Sequence, residues 1–426
     1  MFDLIIRGAM LADGAGPLDV ACREGRVAAV GAGLAGGAAR VIEAGGRLLA
    51  PAFADCHFHM DATLSLGRPR LNRSGTLLEG IALWGELKQV QTAAEIVERA
   101  LRYCDLAVAQ GVLAIRSHVD VCGGLTGVEA LLEVRERVRP YLDLQLVAFP
   151  QDGLFRDAGA EANLLAALDR GVEVVGGIPH FERTMEEGAR SVRRLCAIAA
   201  ERGLPLDLHC DETDDPLSRH VETLAMEALR LGLPDVTASH LTSMHSMDNY
   251  YASKLIPLIA EAGVKVVANP LVNILIQGRH DSYPKRRGMT RVAELRAAGV
   301  TVAFGQDCMM DPWYSLGSAD MLEVAAMGLH VGHLSSRAAM AECFEAVTTR
   351  AAAVMALPDR WAVGRGPAEG ARADLVLLDA ADPVEAIRLR ATRLAVVRAG
   401  RVVAESAPRA ARLSLAGRPE RVVLGV

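Results

Sequence analysis

Cys56-His57-Phe58-His59 closes a short apolar run, and the same form recurs down the middle of the chain. Further apolar runs end at Ser117-His118-Val119-Asp120, Phe149-Pro150-Gln151, Ile178-Pro179-His180, His209-Cys210-Asp211-Glu212, Ser239-His240, Ala268-Asn269-Pro270 and Gly305-Gln306-Asp307. Most lie about 30 residues apart, with helix-like stretches between them, which is the spacing of a βα unit. One of those stretches is clearly punctuated. Thr92-Ala93-Ala94-Glu95 is a capping box, and Gly111 stands where a C-terminal cap belongs. Eight such units predict an α/β fold, a (β/α)8 TIM barrel whose strand C-termini form the active-site face. Nearly every one of these strands ends in His, Asp, Glu, Gln or Asn. Core packing does not ask for that, because polar groups are costly to bury without partners.

Outward from the barrel the rhythm changes. Leu4-Ile5-Ile6-Arg7-Gly8 and Arg26-Val27-Ala28-Ala29-Val30-Gly31 read as short strands with turn signals. So do Ala373-Asp374-Leu375-Val376-Leu377-Leu378 and the stretch from Leu394 to Val403. Strands at opposite ends of a chain need partners and can supply one another. The expected organisation is a small β-sandwich built from residues 1–50 and 365–426 around a barrel of residues 51–364.

Composition narrows the function. The 426 residues are 51% hydrophobic, enough for a large core, and only 4% aromatic. The net charge is −6, and the only short basic cluster is Lys285-Arg286-Arg287, which reads as a solvated turn. A nucleic-acid binder carries a basic face or stacking aromatics, so a partner nucleic acid is not expected. Met1-Phe2-Asp3-Leu4 lacks a basic region followed by a long apolar run, and no segment approaches the roughly 20 apolar residues of a membrane span. Eight scattered cysteines with no C-x-x-C pair point to reduced, mostly buried thiols and a cytoplasmic setting.

The chemistry begins at His57-Phe58-His59. In a strand, period two turns both imidazoles to one side, a natural chelate for a divalent metal. Alone the pattern is weak. Its company, His209, His240 and Asp307 at the ends of three later strands, makes a strong constellation.

These residues, together with Ala148-Phe149-Pro150-Gln151, Ile178-Pro179-His180-Phe181-Glu182, His209-Cys210-Asp211-Glu212, Ala268-Asn269-Pro270-Leu271-Val272-Asn273 and Asp311-Pro312-Trp313-Tyr314, resemble the amidohydrolase superfamily and, within it, the bacterial cytosine deaminases. The resemblance covers nearly the whole chain. It implies that His57, His59, His209 and Asp307 ligate one divalent metal ion, Zn or Fe(II) alike by donor type. It implies Glu212 as proton shuttle and His240 as a group beside the metal-bound water. Gln151 and the backbone of Leu77 would hold the pyrimidine edge. Trp313 either walls the pocket or packs as core. The implied substrate is a small free nucleobase, and the implied assembly is a homo-oligomer. A metal brings its water towards a neutral pKa, and attack on a ring C=N requires a proton at the ring nitrogen. Glu212, three residues past His209, is placed to deliver it, while His240 and Asp307 can take the water's proton.

One departure bears on the substrate. The family's strand eight ends His-Asp-Asp, whereas this one ends Gln306-Asp307-Cys308. A carboxylate at the last position would resist a methyl at C5 of a pyrimidine; a thiol would not, which favours 5-methylcytosine beside cytosine. Other readings remain open: the same machinery acting on isoguanine, creatinine or an aminotriazine, or an inactive barrel used as a binding protein. Ring-opening hydrolysis is disfavoured, because strand four has no lysine to bridge two metals. His220-Val221-Glu222 matches half of another zinc-deaminase signature, but no P-C-x-x-C follows, and the triplet reads as exposed helix.

Overall fold

The computed structural model describes residues 1–357 and 367–425. Eight parallel strands follow one another around a barrel: β1 (Phe53–Phe58), β2 (Val112–Asp120), β3 (Asp143–Phe149), β4 (Val174–Gly177), β5 (Leu206–Cys210), β6 (Val236–His240), β7 (Lys265–Ala268) and β8 (Val302–Phe304). The ring closes beyond the end of β8. Phe58 and Asp307 form a parallel bridge, Asp307 N–H donates to His57 O (2.8 Å), and His59 N–H donates to Asp307 O (3.0 Å). Closure therefore places the backbone of His57-Phe58-His59 directly against Asp307.

Local signals act as the chemistry requires. Thr92 and Glu95 form the reciprocal capping box of helix Ala93–Ala109. Gly111 follows that helix at φ +80°, and a Cβ there would also come within 3.1 Å of Val376. No L side chain suits either condition.

Both chain ends contribute to the second unit. Strands Leu48–Pro51, Leu375–Leu378, Arg393–Arg398 and Arg401–Glu405 pair in one half, and Leu18–Arg23, Arg26–Gly31 and Ala38–Glu43 lie in the other. The long strand Phe2–Leu11 joins them: Phe2–Arg7 pairs with Ala38–Glu43, and Met10-Leu11 pairs with Leu48-Leu49. The strands thus form one connected sheet, with side chains of both halves in a common core. Leu375, Leu377 and Val397 join Leu4, Ile6 and Val20 in that core, while the alternating Val376, Leu378 and Val396 pack with the barrel. The boundary expected at residues 364/365 lies outside the described residues.

Three sequence expectations change. The stretch from Leu394 to Val403 is a hairpin, turning at Ala399 (φ +45°) and Gly400 (φ +73°), the positive-φ pair that matches strand twist in a tight turn. Lys285 and Arg287 are exposed, as a solvated turn requires, and only Arg286, half-buried, departs from that reading. Arg286 pairs with Asp281 at 2.6 Å and donates to Ser246 Oγ at 2.6 Å, while Lys285 Nζ and Arg287 NH1 bind backbone carbonyls. His220 is buried, because Asp211 Oδ1 accepts both its backbone N–H (3.0 Å) and its ring Nδ1 (2.8 Å) at the start of helix His220–Leu231. Asp211 thereby does the work of a helix cap. All eight cysteines are free and buried. Among the described residues no helix is long and apolar enough to cross a membrane.

Candidate functional site

Four buried side chains at the C-terminal end of the barrel offer donor atoms to one point. One atom each from His57, His59, His209 and Asp307 lies within 4.8 Å of the other three. His59 Nε2 faces His209 Nε2 at 3.0 Å, and Asp307 Oδ1 stands 3.4 Å from His59 Nε2 and 3.5 Å from His57 Nε2. His57 Nε2 is buried and has no hydrogen-bond partner. Burial disfavours charged imidazole: His59 is pushed down to about 4, and His209 and His240 well below their ordinary value. The imidazoles of His59 and His209, the orphaned Nε2 of His57 and the Asp307 carboxylate fit one divalent cation.

Backbone geometry puts these groups there. Asp307 at φ +69° and His240 at φ +73° occupy the left-handed region at the strand ends, a conformation costly for residues other than glycine. Gly305 allows the close approach: a Cβ on it would lie 2.5 Å from Asn269 Oδ1 and 2.7 Å from His57 Cβ.

Beside the donor cluster lies a protonatable group. Glu212 is buried, its Oε1 is 3.3 Å from His240 Nδ1, and it forms a second cluster with His240 and Asp307. Burial, and then the nearby Asp307 carboxylate, push Glu212 well above the usual carboxylate range. Of the acids adjacent in sequence, Asp211 is spent on the His220 helix, and Asp214 supports Gly278 and Arg286.

A small cavity opens onto these groups. Gln151, Cys308 and Trp313 line it, as do Leu77, Val272 and Ile276. Every residue singled out from sequence therefore borders this cavity or, for His57 and His240, touches the groups that do. Gln151 donates its backbone N–H to Asp120 Oδ1 at 3.3 Å, and among the described residues no hydrogen bond engages its side-chain amide, which leaves that amide for the cavity. Trp313 is both wall and packing, 5.9 Å ring to ring from His59 and 6.1 Å from Trp84. Burial keeps the Cys308 thiol protonated, and its Sγ is 3.6 Å from Asp307 Oδ1. Gln306 is buried behind the strand end, its Nε2 3.4 Å from Cys308 O.

Sequence reading missed the supports. Ser239 Oγ donates to Asp207 Oδ1 (2.8 Å) and contacts His57 Nδ1 (2.9 Å), and Arg116 NH1 holds Asp207 Oδ2 at 2.8 Å. Asn273 Nδ2 lies 3.0 Å from His240 Nδ1. His118 packs its ring 4.2 Å from His57 and 4.5 Å from His209, with neither ring nitrogen hydrogen-bonded. Period two was the available signal: Asp207 shares a face with His209, and Arg116 with His118.

Known proteins match this chain across most of its length. Residues 40–404 match the model of an amidohydrolase family. A pterin deaminase from Rhizobium rhizogenes is 33% identical over 367 residues, spanning 84% of this chain and 81% of its own. An N-isopropylammelide isopropyl amidohydrolase from Pseudomonas sp. is 28% identical over 410 residues, spanning 94% and 97%. The crystal structure of a 5-methylcytosine deaminase from Klebsiella pneumoniae, liganded with 5-fluorocytosine, superposes with a TM-score of 0.92 at 40% identity, covering 96% of this chain and 99% of that one.

Proposed function

The chain belongs to the amidohydrolase family, and from that premise we propose that it deaminates a free pyrimidine, cytosine and 5-methylcytosine, by hydrolysis. The coarser statement is plain: it is a hydrolase acting on a C–N bond of an aminated heterocycle, with a donor set that fits one divalent ion. The observation that carries the finer reading is the shared cavity, in which Glu212, the donor cluster, the free amide of Gln151 and the thiol of Cys308 meet.

His57, His59, His209 and Asp307 would hold a divalent ion, zinc or iron(II), which would supply a water that ionises near neutral pH. The chain's own groups do the rest. Gln151 presents a carbonyl and an N–H side by side, matching the ring N–H and adjacent carbonyl of a pyrimidine, with the backbone of Leu77 beside it. Trp313 covers the ring and excludes water. His240 and Asp307 take the proton that the attacking water gives up at C4. Glu212 delivers its proton to N3, regains the one held by His240 and Asp307, and passes that to the exocyclic amine as the C4–N bond breaks. Cytosine plus water thus gives uracil plus ammonia, and 5-methylcytosine gives thymine plus ammonia.

Ammonia release from cytosine, 5-methylcytosine, isoguanine, creatinine and pterin tests this on the purified protein. Turnover of the two cytosines, abolished by chelation and restored by Zn²⁺ or Fe²⁺, is expected. Glu212→Gln is expected to retain the metal and lose about 10²–10⁴-fold in turnover. A chain active only on the other rings would refute the pyrimidine assignment.

A further inference from the structure

The indole of Trp313 rests on bare backbone. A Cβ added to Gly80 would lie 2.3 Å from Trp313 Cδ1, 2.7 Å from Nε1 and 2.9 Å from Cγ. The obstacle is a rigid ring, not the far end of a flexible chain. Gly80 lies inside helix Leu77–Leu87, where glycine is disfavoured relative to alanine. It is absent from the glycines with positive φ, so the backbone does not require it. The ring does.

The remaining surroundings of Trp313 show which way it can give. Its backbone is tied at both sides of the Pro312 peptide unit: Trp313 N–H donates to Asp311 Oδ1 (2.9 Å), and Asn72 Nδ2 donates to Pro312 O (3.1 Å). Trp84, 6.1 Å away ring to ring, is held by Asp120 Oδ2 through its Nε1 (2.7 Å), and Asp120 is in turn gripped by Lys88 (2.8 Å). Leu77, Gly80, Trp84 and Lys88 recur at the spacing of one helix face, so a single rigid helix backs this wall. The compliant side is the cavity, towards His59 and Cys308.

We infer that Gly80 determines specificity: its missing side chain seats Trp313 back from the cavity and so admits a ring substituent that alanine at this position would exclude. The inference rests on the reading that this cavity holds the aminated ring. The face of Trp313 is then a dimension of the pocket set from behind, by a residue that touches no substrate.

Two measurements on Gly80→Ala separate this from that reading. The first is kcat/KM for cytosine and 5-methylcytosine, with pterin included as the largest ring. The ratio of the larger accepted substrate to the smaller should fall by about 10-fold or more, the scale of one methylene-sized clash. The second needs no substrate: thermal unfolding of Gly80→Ala in the wild-type background and in a Trp313→Leu background, with Trp313→Phe in its place should that variant not fold. Alanine should lower Tm where the indole is present and raise it where the indole is gone, because helix propensity then acts unopposed. An equal Tm change in both backgrounds overturns the seating. Tm coupling with an unchanged substrate ratio overturns the specificity role. A wild type that turns over none of the rings defeats the functional reading, and the Tm comparison still decides whether Gly80 seats Trp313.

Discussion

Ser239→Ala cuts a relay through the barrel interior. Ser239 Oγ–H donates to Asp207 Oδ1 at 2.8 Å, so a lone pair faces His57 Nδ1 at 2.9 Å and the imidazole must carry its proton there. That assignment leaves His57 Nε2 bare, the same atom that lacks a partner and stands 3.5 Å from Asp307 Oδ1. Arg116 NH1 pairs with Asp207 Oδ2 at 2.8 Å, with side-chain exposures of 1% and 0%. Alanine strands the Nδ1–H and one Asp207 oxygen away from water, at roughly 1–3 kcal/mol for each unsatisfied group. It also releases the ring to change tautomer or tilt. Loss of such an orienting partner weakens metal binding about 10–100-fold, or about 1.4–2.8 kcal/mol. The assay is competition for Zn²⁺ against a chelator of known affinity, with Tm of the metal-free proteins reporting the folding cost separately. The variant should show a Kd raised by that factor together with a lower metal-free Tm. A lower Tm with unchanged Kd would refute the argument: the relay would then be structural only, or His57 would not be a ligand.

Three further outcomes are expected. Cys308→Asp should move the kcat/KM ratio back towards cytosine over 5-methylcytosine by roughly 10–200-fold, because a carboxylate at the cavity wall loses water to a methyl; an unmoved ratio would mean that Cys308 does not face C5. Thr92→Ala removes the reciprocal cap of helix Ala93–Ala109 and should cost about 1 kcal/mol in denaturant unfolding while leaving kcat unchanged. Lys88→Met should cost about 3 kcal/mol, the low end for breaking a buried pair, because Asp120 keeps only Trp84 Nε1 and backbone N–H donors; urea unfolding reads it directly.

The barrel was legible because its strands announce themselves twice, by apolar runs and by polar residues at the ends of those runs. The capping box at Thr92 and the pair His57/His59 were legible for the same reason: each is a short-range geometric rule that needs only neighbours in sequence. The hairpin at Ala399-Gly400 was hidden because alanine gives no sign that it will take positive φ; the register of Leu375–Leu378 against Arg393–Arg398, and of the latter against Arg401–Glu405, imposes it. Arg286 looked exposed because two of its partners, Asp214 and Ser246, come from loops distant in sequence.

Glu212 shows where sequence reading stops and why. Four acids crowd residues 211–215, and no propensity distinguishes them. The fold separates them by backbone direction. Asp211, at φ +52°, turns its carboxylate down to the start of helix His220–Leu231, where Ser218 Oγ, His220 and Val221 N–H saturate it. With that residue anchored, the next side chain is thrown to the opposite side, over the barrel mouth, where Glu212 meets His240 and Asp307. The buried Asp211–His220 contact is therefore not an idle core pair. It aims the carboxyl proposed to carry the proton, and the same anchoring accounts for His220 being buried where the sequence alone placed an exposed helix.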